Sequence, residues 1–231
     1  MELKTFKMKF IPKYLKAIIC IQMLFLIVNV SAQNPPFWND IQAFKKQDSI
    51  AMPVHYKTLF IGSSSFTKWI TLEQDLLEYA TLNRAFGGST LLDVIRYRAA
   101  IIEKYNPERI VIYCGENDIA SSDAVTGITV LERFRILYQH IREKFPTTEI
   151  YFISLKPCPL RWEMRQRMLD ANNRIANFCK NQQHTYFINI WNQMLKNSKP
   201  NPSLFIEDSL HMNSKGYDIW MKKIKKKVKI N

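Results

Sequence analysis

The sequence predicts an α/β fold in which a central parallel sheet of about five strands is covered by helices on both faces, a three-layer α/β/α sandwich. Three observations carry this expectation. Apolar runs of strand length alternate with stretches of helical periodicity, and parallel neighbours need such crossover connections. Beyond a basic and apolar start, the remaining chain is the size of one domain with its own core. Glycine is scarce, six in 231 residues where about 7% is usual. Four of the six, Gly62, Gly87, Gly88 and Gly115, follow the first three strand-like runs, where tight turns call for conformational freedom.

Residues 1–32 read as an export signal. Lys4, Lys7, Lys9, Lys13 and Lys16 make a basic start, Ala17 to Val30 is apolar, and Val30-Ser31-Ala32 supplies small residues for cleavage after Ala32, so the mature chain begins at Gln33. A retained anchor is the less favoured alternative, because spanning needs roughly 20 apolar residues and Lys13 and Lys16 cut the run short. Localisation is therefore expected to be secreted or periplasmic, with no membrane span after cleavage. Residues 33–231 are expected to form one domain.

Within it, Gln33 to Pro53 reads as a polar, proline-containing lead. Strands are expected over Tyr56 to Ile61, Thr81 to Phe86, Arg109 to Cys114, Glu149 to Leu155 and Thr185 to Ile190, from apolar, β-branched and aromatic runs bounded by turn residues. Helical spacing of apolar residues marks Thr90 to Tyr105, Thr129 to Phe145, Arg161 to Cys179 and Ser214 to Val228. Ser89 or Thr90 caps the first, and Pro107 and Pro146 stand just past the ends of the first two. In such sheets ligands bind beyond the carboxyl ends of the strands, so the residues after each strand are the ones to search.

The formal charge of +13 suggests nucleic acid until it is located along the chain. Six lysines lie between Lys222 and Lys229 and the leader carries net +4, leaving 22 basic against 19 acidic residues in Gln33 to Met221. The body is near neutral, and a lysine-rich last helix reads as a solvated face. Cys114, Cys158 and Cys179 lack paired metal-ligand spacing and are expected as buried thiols, with a Cys158 to Cys179 bridge as the alternative.

Chemistry-bearing residues gather at the strand ends. Gly62-Ser63-Ser64-Ser65 follows the first strand, and a hydroxyl at a helix start has backbone N–H groups around it. Gly87-Gly88-Ser89 follows the second, and Gly115-Glu116-Asn117-Asp118 ends the third, where an Asn side chain can donate into a pocket. Near the carboxyl terminus stands Asp208-Ser209-Leu210-His211. Serine becomes a strong nucleophile when a base takes its proton, and the base must be held in one tautomer by a third group. A carboxylate three residues before an imidazole does both jobs in one turn. His55, His140 and His184 sit where solvated side chains are expected.

Taken in order, Gly-x-Ser, Asn…Gly (Asn83 to Gly88), Gly-x-Asn-Asp and Asp-x-x-His resemble the blocks of the SGNH, or GDSL-like, esterases and acylhydrolases, over nearly all of residues 33–231. The resemblance implies a flavodoxin-like SGNH hydrolase fold and a serine esterase acting through an acyl-serine. It implies Ser64 as nucleophile, His211 as general base and Asp208 as its orienting partner. The Ser64 N–H, Gly88 N–H and Asn117 side-chain amide would form the oxyanion hole. It implies no metal and no organic cofactor. Family members often carry Asp where this chain has Ser63; Ser64 keeps the Gly-x-Ser spacing. A Gly-x-Ser-x-Gly elbow is absent, against an α/β-hydrolase fold. No long insertion is left for a lid, so an open cleft and a short acyl or acetyl ester, on a small molecule or carbohydrate, are expected. Arg84, Arg161 and Trp162 are candidate cleft contacts. Two alternatives stay open: acyl transfer to a sugar hydroxyl at the same site, and a secreted binding protein on an inactive scaffold.

Overall fold

The structure, a computed structural model, describes residues 34–230. The compact unit that carries the sheet begins at Phe37. The expected export signal and its cleavage after Ala32 lie outside the described residues. No helix among the described residues is long and apolar enough to cross a membrane.

Five parallel strands form the sheet: β1 (Thr58–Gly62), β2 (Thr81–Asn83), β3 (Arg109–Tyr113), β4 (Glu149–Ile153) and β5 (Thr185–Ile188), in the order β2-β1-β3-β4-β5. This is the α/β class the strand and helix alternation predicted. The strand order reverses around β1, which places a crevice beyond the ends of β1 and β3. The strands read as continuous apolar runs because both faces are covered. Phe60, Val111 and Tyr151 stand in register on one face, and Leu59, Ile110 and Ile150 on the other.

Each face has its own helix layer. Helices α1 (Trp38–Ile50), α4 (Leu91–Arg98), α5 (Glu116–Ser121), α6 (Gly127–Lys144) and α7 (Arg165–Lys180) pack on the Leu59 face through Ile41, Val94, Ile119, Phe134 and Ile175. Helices α2 (Ser64–Thr67), α3 (Leu72–Asp75) and α8 (Ser214–Lys227) pack on the Phe60 face through Phe66, Leu72 and Trp220. Phe60, Phe134 and Phe152 are fully buried, and each such side chain contributes about 1.5–3 kcal/mol.

The helix expected over Thr90 to Tyr105 divides. Thr90 caps α4 in a capping box with Asp93, and after Arg98 the helix widens into a π-helical turn, Ala99–Glu103. The wider turn sends the consecutive Ile101 and Ile102 both inward. The helix expected from Arg161 starts instead at Arg165, behind a 3-10 segment, Pro159–Met164, in which Arg161 leaves helical geometry (φ −116°, ψ 22°). The lead expected over Gln33 to Pro53 contains α1. Its inward face is Phe37, Ile41, Phe44 and Asp48, and ending that stripe on a carboxylate hides the helical period. A short antiparallel pair, Leu195–Lys196 with Lys199–Pro200, was not foreseen either.

Candidate active site

The turn after β1 depends on Gly62. Its φ is +129°, and a β-carbon there would stand 2.0 Å from the Tyr113 carbonyl oxygen, so a side chain would force β1 and β3 apart. The Ser63 N–H donates to the same Tyr113 oxygen at 3.0 Å. Phe66, fully buried in edge contacts with Phe60 and Trp220, pins the turn from below. Of the three serines, Ser63 and Ser65 are buried and Ser64 is partly exposed.

The Ser64 Oγ lies 2.9 Å from His211 Nε2, and His211 Nδ1 lies 2.5 Å from Asp208 Oδ2. Asp208 Oδ1 accepts from the N–H groups of Leu210 (3.0 Å) and His211 (2.8 Å). Ser209 adopts left-handed backbone (φ 57°), which closes the turn, and Ile206 N–H donates to the His211 carbonyl at 2.9 Å. Asn213 then caps α8, whose Tyr217 hydroxyl reaches back to the Ser65 carbonyl at 2.9 Å. Desolvation alone would raise the Asp208 carboxyl, but the His211 ring and the two N–H groups outweigh it and bring it down to about 2. An ionised carboxylate on Nδ1 holds that nitrogen protonated and leaves Nε2 with a lone pair facing the hydroxyl.

Beside this line, Phe86 N–H and Ser89 Oγ both donate to the Gly62 carbonyl at 3.0 Å. A β-carbon on Gly87 would lie 3.9 Å from the Ser64 Cβ, so this loop runs alongside the serine. Gly88 has φ +83°, and its N–H has no hydrogen-bond partner among the described residues. Asn117, in the first turn of α5, donates Nδ2–H to the Ser89 carbonyl at 3.0 Å and accepts on Oδ1 from Arg161 Nη2 at 3.0 Å. Its neighbour Asp118 is fully buried, takes Leu91 N–H and Arg133, and ties α5 to the start of α4.

A family model of the GDSL-like lipase/acylhydrolase family matches residues 48–219. The chain belongs to that family. Solved GDSL-like and esterase structures share the fold. A GDSL-like lipase from Bacteroides thetaiotaomicron VPI-5482 superposes with TM-score 0.68 at 22% identity, covering 80% of this chain and 95% of its own. An acetyl-xylooligosaccharide esterase from Geobacillus Stearmophilus gives TM-score 0.61 at 15% identity, covering 76% and 95%. A carbohydrate esterase of family 3 from Talaromyces cellulolyticus gives 0.60 at 13%, covering 75% and 96%. A search of curated protein sequences finds no match.

The three candidate cleft residues of the GDSL-like domain sit in different surroundings. Arg84 is buried, with Nη2 on Asp48 at 2.6 Å and Nε on the Tyr105 hydroxyl at 2.6 Å, and it fastens α1 to the sheet. The Trp162 ring stacks at 6.2 Å on Trp191 and carries the Arg165 guanidinium 5.2 Å from its centroid, so packing engages it. Arg161 reaches Asn117 and Glu116 Oε1 (3.2 Å). Cys114, Cys158 and Cys179 are buried free thiols, and burial pushes those of Cys158 and Cys179 up to about 12. His184 lines a cavity of about 530 Å³ with Glu108, Arg109 and Glu149, at the starts of β3 and β4, the end of the sheet away from Ser64.

The sequence pattern assigns no role to Glu116, inside the third turn, or to Lys156. Both are fully buried, Lys156 Nζ stands 2.6 Å from Glu116 Oε2, and the Tyr113 hydroxyl donates to the same oxygen. Burial alone would raise the Glu116 carboxyl, but Lys156 and Arg161 hold it below its ordinary value. A lysine directly after an apolar strand, between Leu155 and Pro157, was the available signal.

Proposed function

We propose that this GDSL-like domain is an exported serine esterase that hydrolyses short acyl esters, O-acetyl groups on carbohydrate foremost, through an acyl-serine intermediate. The observation that carries the reading is the continuous contact from Asp208 through His211 to Ser64. His211 Nε2 takes the hydroxyl proton as Ser64 Oγ attacks the ester carbonyl. The oxyanion accepts from the Ser64 and Gly88 N–H groups and the second Nδ2 hydrogen of Asn117, and preorganised donors of this kind stabilise the charge that develops in the transition state. Collapse expels the alcohol, which receives its proton from His211. Water then gives a proton to His211 and attacks the acyl-serine, and collapse breaks the bond to Ser64 Oγ, which takes the proton back from His211 as the carboxylic acid leaves.

The short-acyl and carbohydrate parts of the reading rest on the sequence pattern, which leaves no long insertion to serve as a lid, and on the export signal read from residues 1–32. They also rest on the fold shared with acetyl-xylooligosaccharide and carbohydrate esterases. The test is a kinetic panel of acetyl, butyryl and long-chain esters beside acetylated xylan, with and without free sugar acceptors. The expected result is free acetate and a kcat/KM that falls with chain length. A preference for long chains would overturn the acyl assignment, acyl groups recovered on the acceptor would make the protein a transferase, and no turnover of any ester would favour a binding protein.

A further inference from the structure

We infer that Arg161 is a positioning residue for Asn117, and that the segment from Lys156 to Arg161 acts as a fifth block of the site by locking the oxyanion amide onto a buried ion-pair relay. The inference rests on the esterase reading above and adds residues that none of the four sequence blocks contains.

The Arg161 guanidinium holds Glu116 Oε1 through Nη1 at 3.2 Å and Asn117 Oδ1 through Nη2 at 3.0 Å, so one planar fork grips two consecutive residues of α5. An Asn amide has two flipped orientations of similar shape and opposite polarity. Only an oxygen can face a guanidinium, because the flipped amide would set NH₂ against N–H. Arg161 therefore selects the orientation in which Nδ2 points away from it. One Nδ2 hydrogen goes to the Ser89 carbonyl at 3.0 Å, and the other is left for the oxyanion.

Arg161 is held in turn by groups that water cannot loosen. Glu116 and Lys156 side chains are 4% and 1% exposed, and the Cys158 thiol donates to Glu116 Oε1 at 3.5 Å. One carboxylate faces two cations, which leaves net positive charge beside the amide where negative charge would develop in the transition state. The backbone is built for the same purpose. Pro157 and Pro159 fix φ on either side of Cys158, and Arg161 leaves helical geometry, so α7 starts later. The Leu160 N–H donates to the Ser209 carbonyl at 3.1 Å. The same six residues thus touch both the Asn117 side and the Asp208–His211 turn.

The experiment is a double-mutant cycle on the full chain, with Arg161→Met, Arg161→Lys, Asn117→Ala and the paired variants. Each is measured for kcat, KM and Tm on a short ester, and for fluorophosphonate labelling. Arg161→Met is expected to lower kcat by about 10–100-fold, the scale of a misplaced reacting group, with KM changed by less than about threefold because the ground-state carbonyl uses the donor weakly. Arg161→Lys is expected to recover little, since a point charge cannot span both acceptors. In the Asn117→Ala background either Arg161 substitution should cost less than about twofold more, the non-additivity of coupled groups. Equal losses in both backgrounds, or a folded Arg161→Met protein with unchanged kcat, would overturn the inference. If Arg161→Met does not fold, Arg161→Lys carries the same cycle. A wild-type protein that neither turns over esters nor takes the label fails the esterase reading itself, whereas a labelled, active wild type with additive losses fails the positioning role alone.

Discussion

The turn that carries His211 and the helix that carries Asn117 flank the same serine loop, and they are held by opposite means. Asp208 and His211 are three residues apart, the Asp208 side chain is 42% exposed, and the turn is closed by its own N–H groups. Asn117 depends on Arg161, 44 positions away, and on the buried pair of Glu116 and Lys156. Local closure keeps the carboxylate wet, ionised and in one register with the imidazole. The long-range relay keeps an uncharged amide in one of its two orientations, which needs partners that neither move nor hydrate. The difference teaches that a base can be oriented by four residues of chain, whereas an amide donor has to be oriented by the core.

Substitutions on the two sides should therefore separate rate from stability. The largest effect is expected from His211→Ala, which should lower kcat by at least ~10³ with thermal unfolding nearly unchanged, because an open turn loses little packing. Steady-state kinetics with a melting curve on one preparation checks both. Lys156→Met should show the reverse pattern in its stability. Leaving Glu116 buried with one cation fewer should cost about 3–5 kcal/mol, read by denaturant unfolding; a loss below about 1 kcal/mol, the worth of an exposed pair, would mean that the relay is not buried in solution.

Asn117→Ala comes next. Losing one preorganised donor should lower kcat by ~10²–10³ while KM moves much less, and a lowered Tm with unchanged kcat would make Asn117 a turn residue only. Acid should sharpen the contrast further. A carboxyl lowered on folding contributes stability above its ordinary value near ~3.9, and that contribution is lost as pH falls through the folded value of about 2. Asp208 thus stays ionised through mild acid. Asp208→Asn should lower activity at neutral pH and leave the melting temperature less dependent on pH below about 4. The smallest effect is expected at the exposed Lys222 and Lys226 of α8, where exchange for Gln should change stability by no more than about 0.5 kcal/mol.

The same contrast explains what could be read from the sequence. The strands were legible because burial on both faces writes each as an unbroken apolar run, and Asp208-x-x-His211 was legible because the chemistry lies within one turn. Gly88 and Asn117, the proposed oxyanion donors, could be nominated from their place after strands, but not what orients Asn117. Glu116 and Lys156 are charged in the sequence and buried in the fold, and their pairing spans 40 positions. Arg84 follows a strand in the sequence and pairs with Asp48 in the fold, and Asp48 is also what disguised α1 as a polar lead.

On the proposed mechanism Ser64, rather than Ser63 or Ser65, attacks. The most direct measurement is peptide mapping by mass spectrometry after treating the folded protein with a fluorophosphonate, on wild type and on Ser64→Ala. One adduct, on Ser64, is expected in the wild type and none in the variant. An adduct on Ser63 or Ser65, or a folded, ester-hydrolysing protein that takes no label, would contradict that mechanism.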